Sequence, residues 1–181
     1  MARQFLQDGP YVDTSTGDAL AANTATTAVD AWDGKSYTPI FANDAKAGKI
    51  YWIHASGLIT TGASGTLTIG LGMGTSSPGT TMGASIAQTT PVSSLSGPWI
   101  MDIYIVIRTI TTRGAATSTA MADGLFTSGG VAATANSGMS ITFGGTSCSF
   151  DVNADNFITV QKTLSVAGSW TTRHAWITAL N

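Results

Sequence analysis

The clearest pattern in the chain is an alternation of apolar and mixed positions over residues 98–114, PWIMDIYIVIRTITTRG. A period of two residues is that of a β-strand, whose successive side chains point to opposite faces. One face is wholly apolar and is predicted to lie in the core: Trp99, Met101, Ile103, Ile105 and Ile107. The other face is mixed, and we expect it to meet a neighbouring surface: Ile100, Asp102, Tyr104, Val106, Arg108 and Ile110.

Shorter β-branched and aromatic stretches divide the chain after Tyr37 into strands and turns. Further strands are predicted at 49–61, 65–73, 84–90, 116–127, 139–145, 147–152, 157–168 and 170–180. The first two are joined by a short glycine-containing link, which predicts a hairpin. Because neither βαβ spacing nor an internal repeat emerges, the pattern predicts an all-β protein, an antiparallel β-sandwich of jelly-roll-like type.

The composition agrees with a single β-domain. Charged residues make up 10% of the 181 residues, against about 25% in ordinary soluble domains. Glutamate is absent and there are only four lysines, so the residues that usually cover exposed helix faces are missing. With a net charge of −2 and a pI near 5.4, the chain lacks the clustered Lys and Arg of nucleic-acid binding, and no nucleic-acid partner is expected.

Targeting and redox signals are equally sparse. The first residues carry no apolar stretch typical of a signal peptide, and no run of about 18 apolar residues predicts a membrane span. We therefore expect no membrane partner. The single cysteine, Cys148, cannot form an intrachain disulfide, lies in a predicted strand and is interpreted as a small buried hydrophobe. Folding in a reducing cytoplasm fits this cysteine usage.

A glycine-rich run at residues 67–83, LTIGLGMGTSSPGTTMG, raises the question of a phosphate-binding loop. The spacing of Gly70, Gly72 and Gly74 is not that of a dinucleotide fingerprint, no Gly-Lys-Ser/Thr follows, and the next segment is a poor helix. The apolar residues before the loop alternate with these glycines. We therefore predict a strand followed by a turn, and no nucleotide cofactor.

Residues 151–162, DVNADNFITVQK, begin like a calcium loop because Asp151, Asn153 and Asp155 occupy alternate positions. An EF-hand needs glutamate where Lys162 stands and glycine where Asn156 stands, and helices rather than strands should flank it. A polar hairpin turn is the preferred interpretation.

Catalytic and metal-binding patterns are missing from the sequence. The two histidines, His54 and His174, lie in predicted strands without a Cys-x-x-Cys or His-Glu-x-x-His motif. No G-x-S-x-G nucleophile motif occurs. We expect no catalytic residues, no metal and no cofactor, and hence no enzyme.

The tryptophans leave one alternative open. Five are present: Trp32, Trp52, Trp99, Trp170 and Trp176. Exposed indole rings stack on sugars, so a glycan-binding module is possible in principle. Core and interface packing is the preferred use, because Trp99 and Trp176 fall on apolar strand faces.

Residues 1–36 differ from the rest, and we predict an extended N-terminal arm before a β-sandwich domain at 37–181. The arm has small polar residues, no sustained alternation and little to bury, so it should order on contact with a partner. The residues predicted to make this contact are Arg3, Phe5, Leu6, Tyr11 and Trp32.

Five segments carry a resemblance to a known family: AWDGKSYTPIFANDAKAGKIYWIHASGLITT, GTLTIGLGMGT, MGASIAQTT, SGPWIMDIYIVIRTI and the ending WTTRHAWITALN. Together they resemble tailed-bacteriophage virion proteins with a jelly-roll-like β-fold. In that pattern a YTPI segment leads to a K-x-Y strand, a GTLT strand, a Gly/Thr loop and a Pro-Trp that opens the long strand. The resemblance covers residues 32–181, and its motifs are structural rather than catalytic.

The resemblance implies a capsid decoration (cement) protein of the virion, assembled in the host cytoplasm, which stabilises the head shell by subunit–subunit contacts. The expected partners are the major capsid protein and further copies of the chain, most simply as a homotrimer. The alternative is a tail-associated or receptor-binding module that grips host surface glycans.

Overall fold

A computed structural model of the protein describes residues 18–20, 29–30, 40, 42–61, 64–75, 80–89, 95–111, 118–129, 139–143, 147–166 and 168–180. Within these residues the chain contains no helix. Its strands are β1 (Asp18–Leu20), β2 (Val29–Asp30), β3 (Ile50–Thr61), β4 (Thr66–Gly74), β5 (Thr80–Thr89), β6 (Leu95–Thr109), β7 (Ser118–Ser128), β8 (Met139–Phe143), β9 (Ser147–Phe150), β10 (Phe157–Leu164) and β11 (Gly168–Ala179).

The strands form two antiparallel sheets that pack against each other, so the predicted all-β sandwich is confirmed. The larger sheet has the order β1-β11-β3-β6-β7-β8, with β9 also paired to β7. The smaller sheet has the order β2-β10-β4-β5. Long-range pairs are nested: β3 pairs with β11, and β4 pairs with β10.

The long strand β6 lies between β3 and β7 in the larger sheet. Its apolar face, from Trp99 to Ile107, is buried as predicted, with each of the five side chains at most 1% exposed. Burial at this level removes the whole apolar side chain from water, worth roughly 1.5–3 kcal/mol for each residue. The sandwich core is therefore built around β6.

The predicted hairpin between residues 49–61 and 65–73 is wrong. The two segments are strands, β3 and β4, but β3 pairs with β11 and β6 in the larger sheet, whereas β4 pairs with β10 and β5 in the smaller one. Both strands alternate, and each turns its apolar face to the same core. Crossing between the layers satisfies that alternation as well as a hairpin would, because the pattern fixes which face is buried and not which strand is the partner.

The glycine-rich run is a strand and the start of a turn, as predicted. Gly70, Gly72 and Gly74 lie in β4, and the next described strand is β5 rather than a helix. The pairing of β4 with β5 shifts register between Ile69 and Leu71, where Gly70 lies. An irregular pairing at a strand glycine is typical of a local bend.

Two short strands fall within the predicted arm of residues 1–36. β1 pairs with β11 at one edge of the larger sheet, and β2 pairs with β10 at one edge of the smaller sheet. Part of the arm is therefore held by both layers of the sandwich. The division of the chain at residue 36 stays a prediction.

Candidate functional site

The strongest candidate for a functional surface is the face of the larger sheet that points away from the core. Alternate residues of β3, β6 and β7 point to this side, and they are exposed or half-buried while their neighbours are buried. We call it the outer face and define it by Trp52, His54 and Leu58 of β3, Ile100, Asp102, Tyr104, Val106 and Arg108 of β6, and Met121, Asp123 and Leu125 of β7.

At its centre, four side chains of β3 and β6 form an aromatic–acid cluster: Trp52, His54, Asp102 and Tyr104. The antiparallel register sets Trp52 opposite Tyr104 and His54 opposite Asp102, so the two pairs are neighbours on one face. The rings of Trp52 and Tyr104 are nearly parallel, with centroids 6.3 Å apart and planes 11° apart. The ring of Trp52 meets that of His54 edge-on at 6.1 Å.

The carboxylate of Asp102 organises the cluster. Its Oδ1 accepts a hydrogen bond from the Trp52 indole Nε1–H at 3.2 Å and lies 2.7 Å from His54 Nδ1. Because a carboxylate only accepts, the short contact places a proton on Nδ1 of His54. Within the described part of the chain, no hydrogen bond reaches the second oxygen, Oδ2. With the Asp102 side chain 43% exposed, that oxygen is open to an external donor.

Aliphatic side chains flank the cluster. Ile100 is 47% exposed, Leu125 is 42% exposed and Leu58 is 38% exposed. The register places Leu125 opposite Asp102 and sets Leu58 opposite the exposed Pro98, so these residues lie on adjoining strands. Large apolar side chains that gather on one exposed face are typical of a surface that binds another molecule.

A second group of charges lies where the chain enters β3. Lys49 Nζ donates to Asp44 Oδ2 at 2.6 Å and lies 5.1 Å from the centre of the Tyr51 ring. Burial works to lower the pKa of Lys49, but the hydrogen bond to Asp44 and the nearby Tyr51 together raise that pKa above its ordinary value. Burial raises the pKa of Tyr51, and the neighbouring ammonium group opposes this. Tyr51 points to the core, so this group stabilises the fold and is not a surface site.

The segment that begins like a calcium loop is a polar turn between β9 and β10, but the predicted hairpin is wrong, because β9 pairs with β7 in the larger sheet and β10 pairs with β4 in the smaller one. Oδ1 of Asp151 accepts hydrogen bonds from the backbone N–H and the side-chain amide of Asn153. Oδ1 of Asp155 accepts one from the backbone N–H of Ala42 at 2.8 Å. Asn156 Nδ2 donates to the carbonyl oxygens of Asp151 and Ala154. These hydrogen bonds therefore hold the turn together and join it to the segment that precedes β3.

Cys148 is 4% exposed in β9, which confirms its interpretation as a buried residue. Burial raises the pKa of its thiol, and this disfavours the thiolate that a nucleophile needs.

Among the residues that the structure describes, no three His, Cys, Asp or Glu side chains group as metal ligands, and no helix is long and apolar enough to span a membrane.

The residues predicted to contact the capsid, namely Arg3, Phe5, Leu6, Tyr11 and Trp32, all lie outside the described residues.

Trp99 and Trp170 are core residues, each 1% exposed, whereas Trp52 lies on the outer face. The register sets Trp176 opposite His54, an outer-face residue, rather than opposite a core residue.

Sequence reasoning found the mixed face of β6 but missed the aromatic–acid cluster. The cluster joins residues 48 and 50 positions apart in the chain, which only the β3–β6 register brings together. The alternation of Trp52 and His54 with the buried residues of β3 was the signal that could have placed both side chains on the outer face.

Comparisons of the chain with protein-family models, with curated proteins and with solved structures find no match of any of the three kinds.

Proposed function

We propose that the chain is a structural, non-enzymatic protein of a tailed-phage virion, a capsid decoration protein that acts by protein–protein contact. Its partners on this proposal are the major capsid protein and further copies of itself. The support is the sequence resemblance, the antiparallel sandwich with nested strand pairs, and the apolar character of the outer face.

The observation that carries the proposal is the make-up of the outer face. Ile100, Leu125 and Tyr104 are 47%, 42% and 44% exposed on two adjoining strands. An interface of this kind combines an apolar centre with aromatic side chains and few charges. Leaving such side chains in water costs solvation free energy that a docked protein surface would recover.

The arm supplies the second contact on this proposal. β1 and β2 hold part of it against the edges of both sheets, so the arm stays attached to the sandwich while its apolar residues contact the shell. Those residues are the predicted set of Phe5, Leu6, Tyr11 and Trp32, with Arg3 beside them.

Co-sedimentation with capsids of the phage that encodes the chain tests this proposal. The wild-type chain should pellet with the capsids and saturate at a fixed ratio. The variant Ile100→Asp should bind less, because it places a carboxylate in the apolar part of the outer face. Ala47→Asp adds the same charge at an exposed turn outside that face and should bind like the wild type. A wild-type chain that stays in the supernatant contradicts the proposal.

The aromatic–acid cluster favours one second candidate, a module that binds host surface glycans. The ring of Trp52 beside Tyr104 offers a stacking surface for the C–H face of a sugar, and Oδ2 of Asp102 can accept a bond from a sugar hydroxyl. The indole N–H bond to Asp102 fixes the ring, which lowers the entropy cost of binding.

Tryptophan fluorescence distinguishes the two candidates. If the chain binds glycans, oligosaccharides released from bacterial lipopolysaccharide should change its tryptophan emission, and Trp52→Phe should abolish the change. If the chain is a capsid decoration protein, these oligosaccharides should leave the emission unchanged, and the chain should bind capsids.

A further inference from the structure

On the outer side of β6, residues of complementary chemistry lie at equal distances on either side of Ile105. From Ile105 outwards it carries Tyr104 and Val106, then the acid Asp102 and the base Arg108. Ile100 follows at one end, 47% exposed, and the exposed Thr109 at the other, where it pairs with Thr119 after the register shift. At about 3.4 Å per residue, Asp102 and Arg108 each lie about 10 Å from Ile105 in opposite directions.

Both charged groups have unused bonding capacity. Within the described part of the chain, Arg108 makes no hydrogen bond or ion pair, and Oδ2 of Asp102 accepts none. The register between β6 and β7 shifts between Ile107 and Thr109, so Arg108 is the extra residue of a β-bulge. Arg108 and Thr109 are both exposed, which leaves the guanidinium on the open side of the sheet.

We infer that the partner on the outer face is a second copy of this chain, packed face to face as an isologous dimer centred on Ile105 of β6. In such a dimer a two-fold axis runs between the two sheets, across the strands, and each contact occurs twice. Asp102 of one copy then faces Arg108 of the other, and Tyr104 faces Val106. The inference rests on the proposed assembly role, for which it names the partner of this face.

The size of the face is adequate for such a pair. Four adjoining strands, β11, β3, β6 and β7, have nine or more residues each. With strands about 4.8 Å apart and about 40 Å long, they present of the order of 800 Å². A standard stable interface buries about 800 Å² on each partner. Two sheets stacked at about 10 Å leave room for the side chains of both faces to interdigitate.

Light scattering on the purified chain gives the first test. A dimer has a mass of about 37 kDa, twice the 18.5 kDa of one chain. A dimer at micromolar concentration supports the inference. A monomer overturns it, and so does the homotrimer expected from the family resemblance, because a three-fold ring does not pair a surface with itself.

Charge reversal gives the sharper test. Arg108→Asp and Asp102→Arg each set like charges against each other twice per dimer, so each alone should weaken dimerisation at least about tenfold. An equimolar mixture of the two variants should form heterodimers, because one copy then presents two bases and the other two acids. Lys46→Asp makes the same charge change as Arg108→Asp at an exposed turn and should leave the dimer intact. Dimers of unchanged strength in both variants, or a mixture that stays monomeric, overturn the inference.

Asp102→Arg also removes the acceptor of Trp52 and His54, so its melting temperature must be measured first. If it does not fold, Asp102→Asn takes its place, since it keeps an acceptor oxygen and removes only the charge. That variant should dimerise more weakly than the wild type, and unchanged dimerisation counts against the inference. Because self-association is measured without capsids, its failure is distinct from failure of the co-sedimentation test.

Discussion

The backbone of Gly57 in β3 packs directly against the indole ring of Trp99 in the neighbouring strand β6. A methyl group at Gly57 would lie 2.8 Å from the Trp99 ring and 1.9 Å from the carbonyl oxygen of Thr171. The ring of Trp99 in turn lies 4.5 Å from that of Trp170 and 6.0 Å from that of Phe126, centroid to centroid. The absence of a side chain at residue 57 therefore lets three aromatic rings and the β11 backbone close together in the core.

Gly57→Ala should destabilise the fold by about 3 kcal/mol or more, because neither a backbone carbonyl nor a ring locked between two others can move aside. Chemical denaturation monitored by circular dichroism measures the loss. Gly129→Ala is the matched control, since its methyl group would meet only Pro98 at 3.6 Å, an ordinary contact. It should change the free energy of unfolding by about 0.5 kcal/mol at most. Equal effects of the two substitutions would contradict the close contact of Gly57 with Trp99 and Thr171.

Replacing Ile105 by Asp should abolish soluble folding. Ile105 is 0% exposed in the middle of β6, and an unpaired carboxylate there loses its hydration without gaining a partner. Ile100→Asp, in the same strand but 47% exposed, should still give a soluble, folded chain. Soluble expression and thermal melting of both variants provide the measurement. Normal yield of Ile105→Asp would mean that the buried face of β6 is misassigned.

Alkaline pH should destabilise the domain through Tyr51 and Lys49. The folded state raises the pKa of both groups above their ordinary values, so it binds their protons more tightly than the unfolded chain does. Their contribution to stability is complete below about pH 10, where the unfolded groups titrate, and it is lost as pH rises through the folded pKa values. Tyr51→Phe removes the phenol, so its unfolding free energy should fall less steeply than that of the wild type above pH 10. Parallel curves in denaturation at increasing pH would exclude this role for Tyr51.

Deleting residues 1–30 should leave the sandwich folded and lower its melting temperature little. The structure ties this segment to the sheets through the short strands β1 and β2, so few backbone pairs are lost. The deletion also uncovers the edges of β11 and β10, and open strand edges favour aggregation. Capsid binding should weaken, because Phe5, Leu6 and Tyr11 are gone.

Melting, light scattering and co-sedimentation of the shortened chain measure these three effects. Full capsid binding without residues 1–30 would refute the docking role of the arm. Sugar binding by the same shortened chain would favour the glycan alternative.

The alternation along residues 98–114 was enough to predict the buried face of β6, because a period of two residues assigns each side chain to a face. The same property made the hairpin prediction fail, since alternation says nothing about whether β3 pairs with β4 or crosses to the other sheet. The aromatic–acid cluster could not be predicted for a related reason: Trp52 and Asp102 meet only through the register of two strands distant in the chain. Asp102 and Arg108, by contrast, lie on one strand, so the sequence alone placed them on the mixed face that was expected to meet a neighbouring surface.

Cryo-electron microscopy of capsids saturated with the chain tests most directly whether the outer face of the larger sheet is an interface of an assembly protein. We expect density for another protein chain over Trp52, Asp102 and Tyr104, with β6 of a second copy antiparallel to the first. A reconstruction in which this face points to solvent, while the chain attaches through other surfaces, would contradict it.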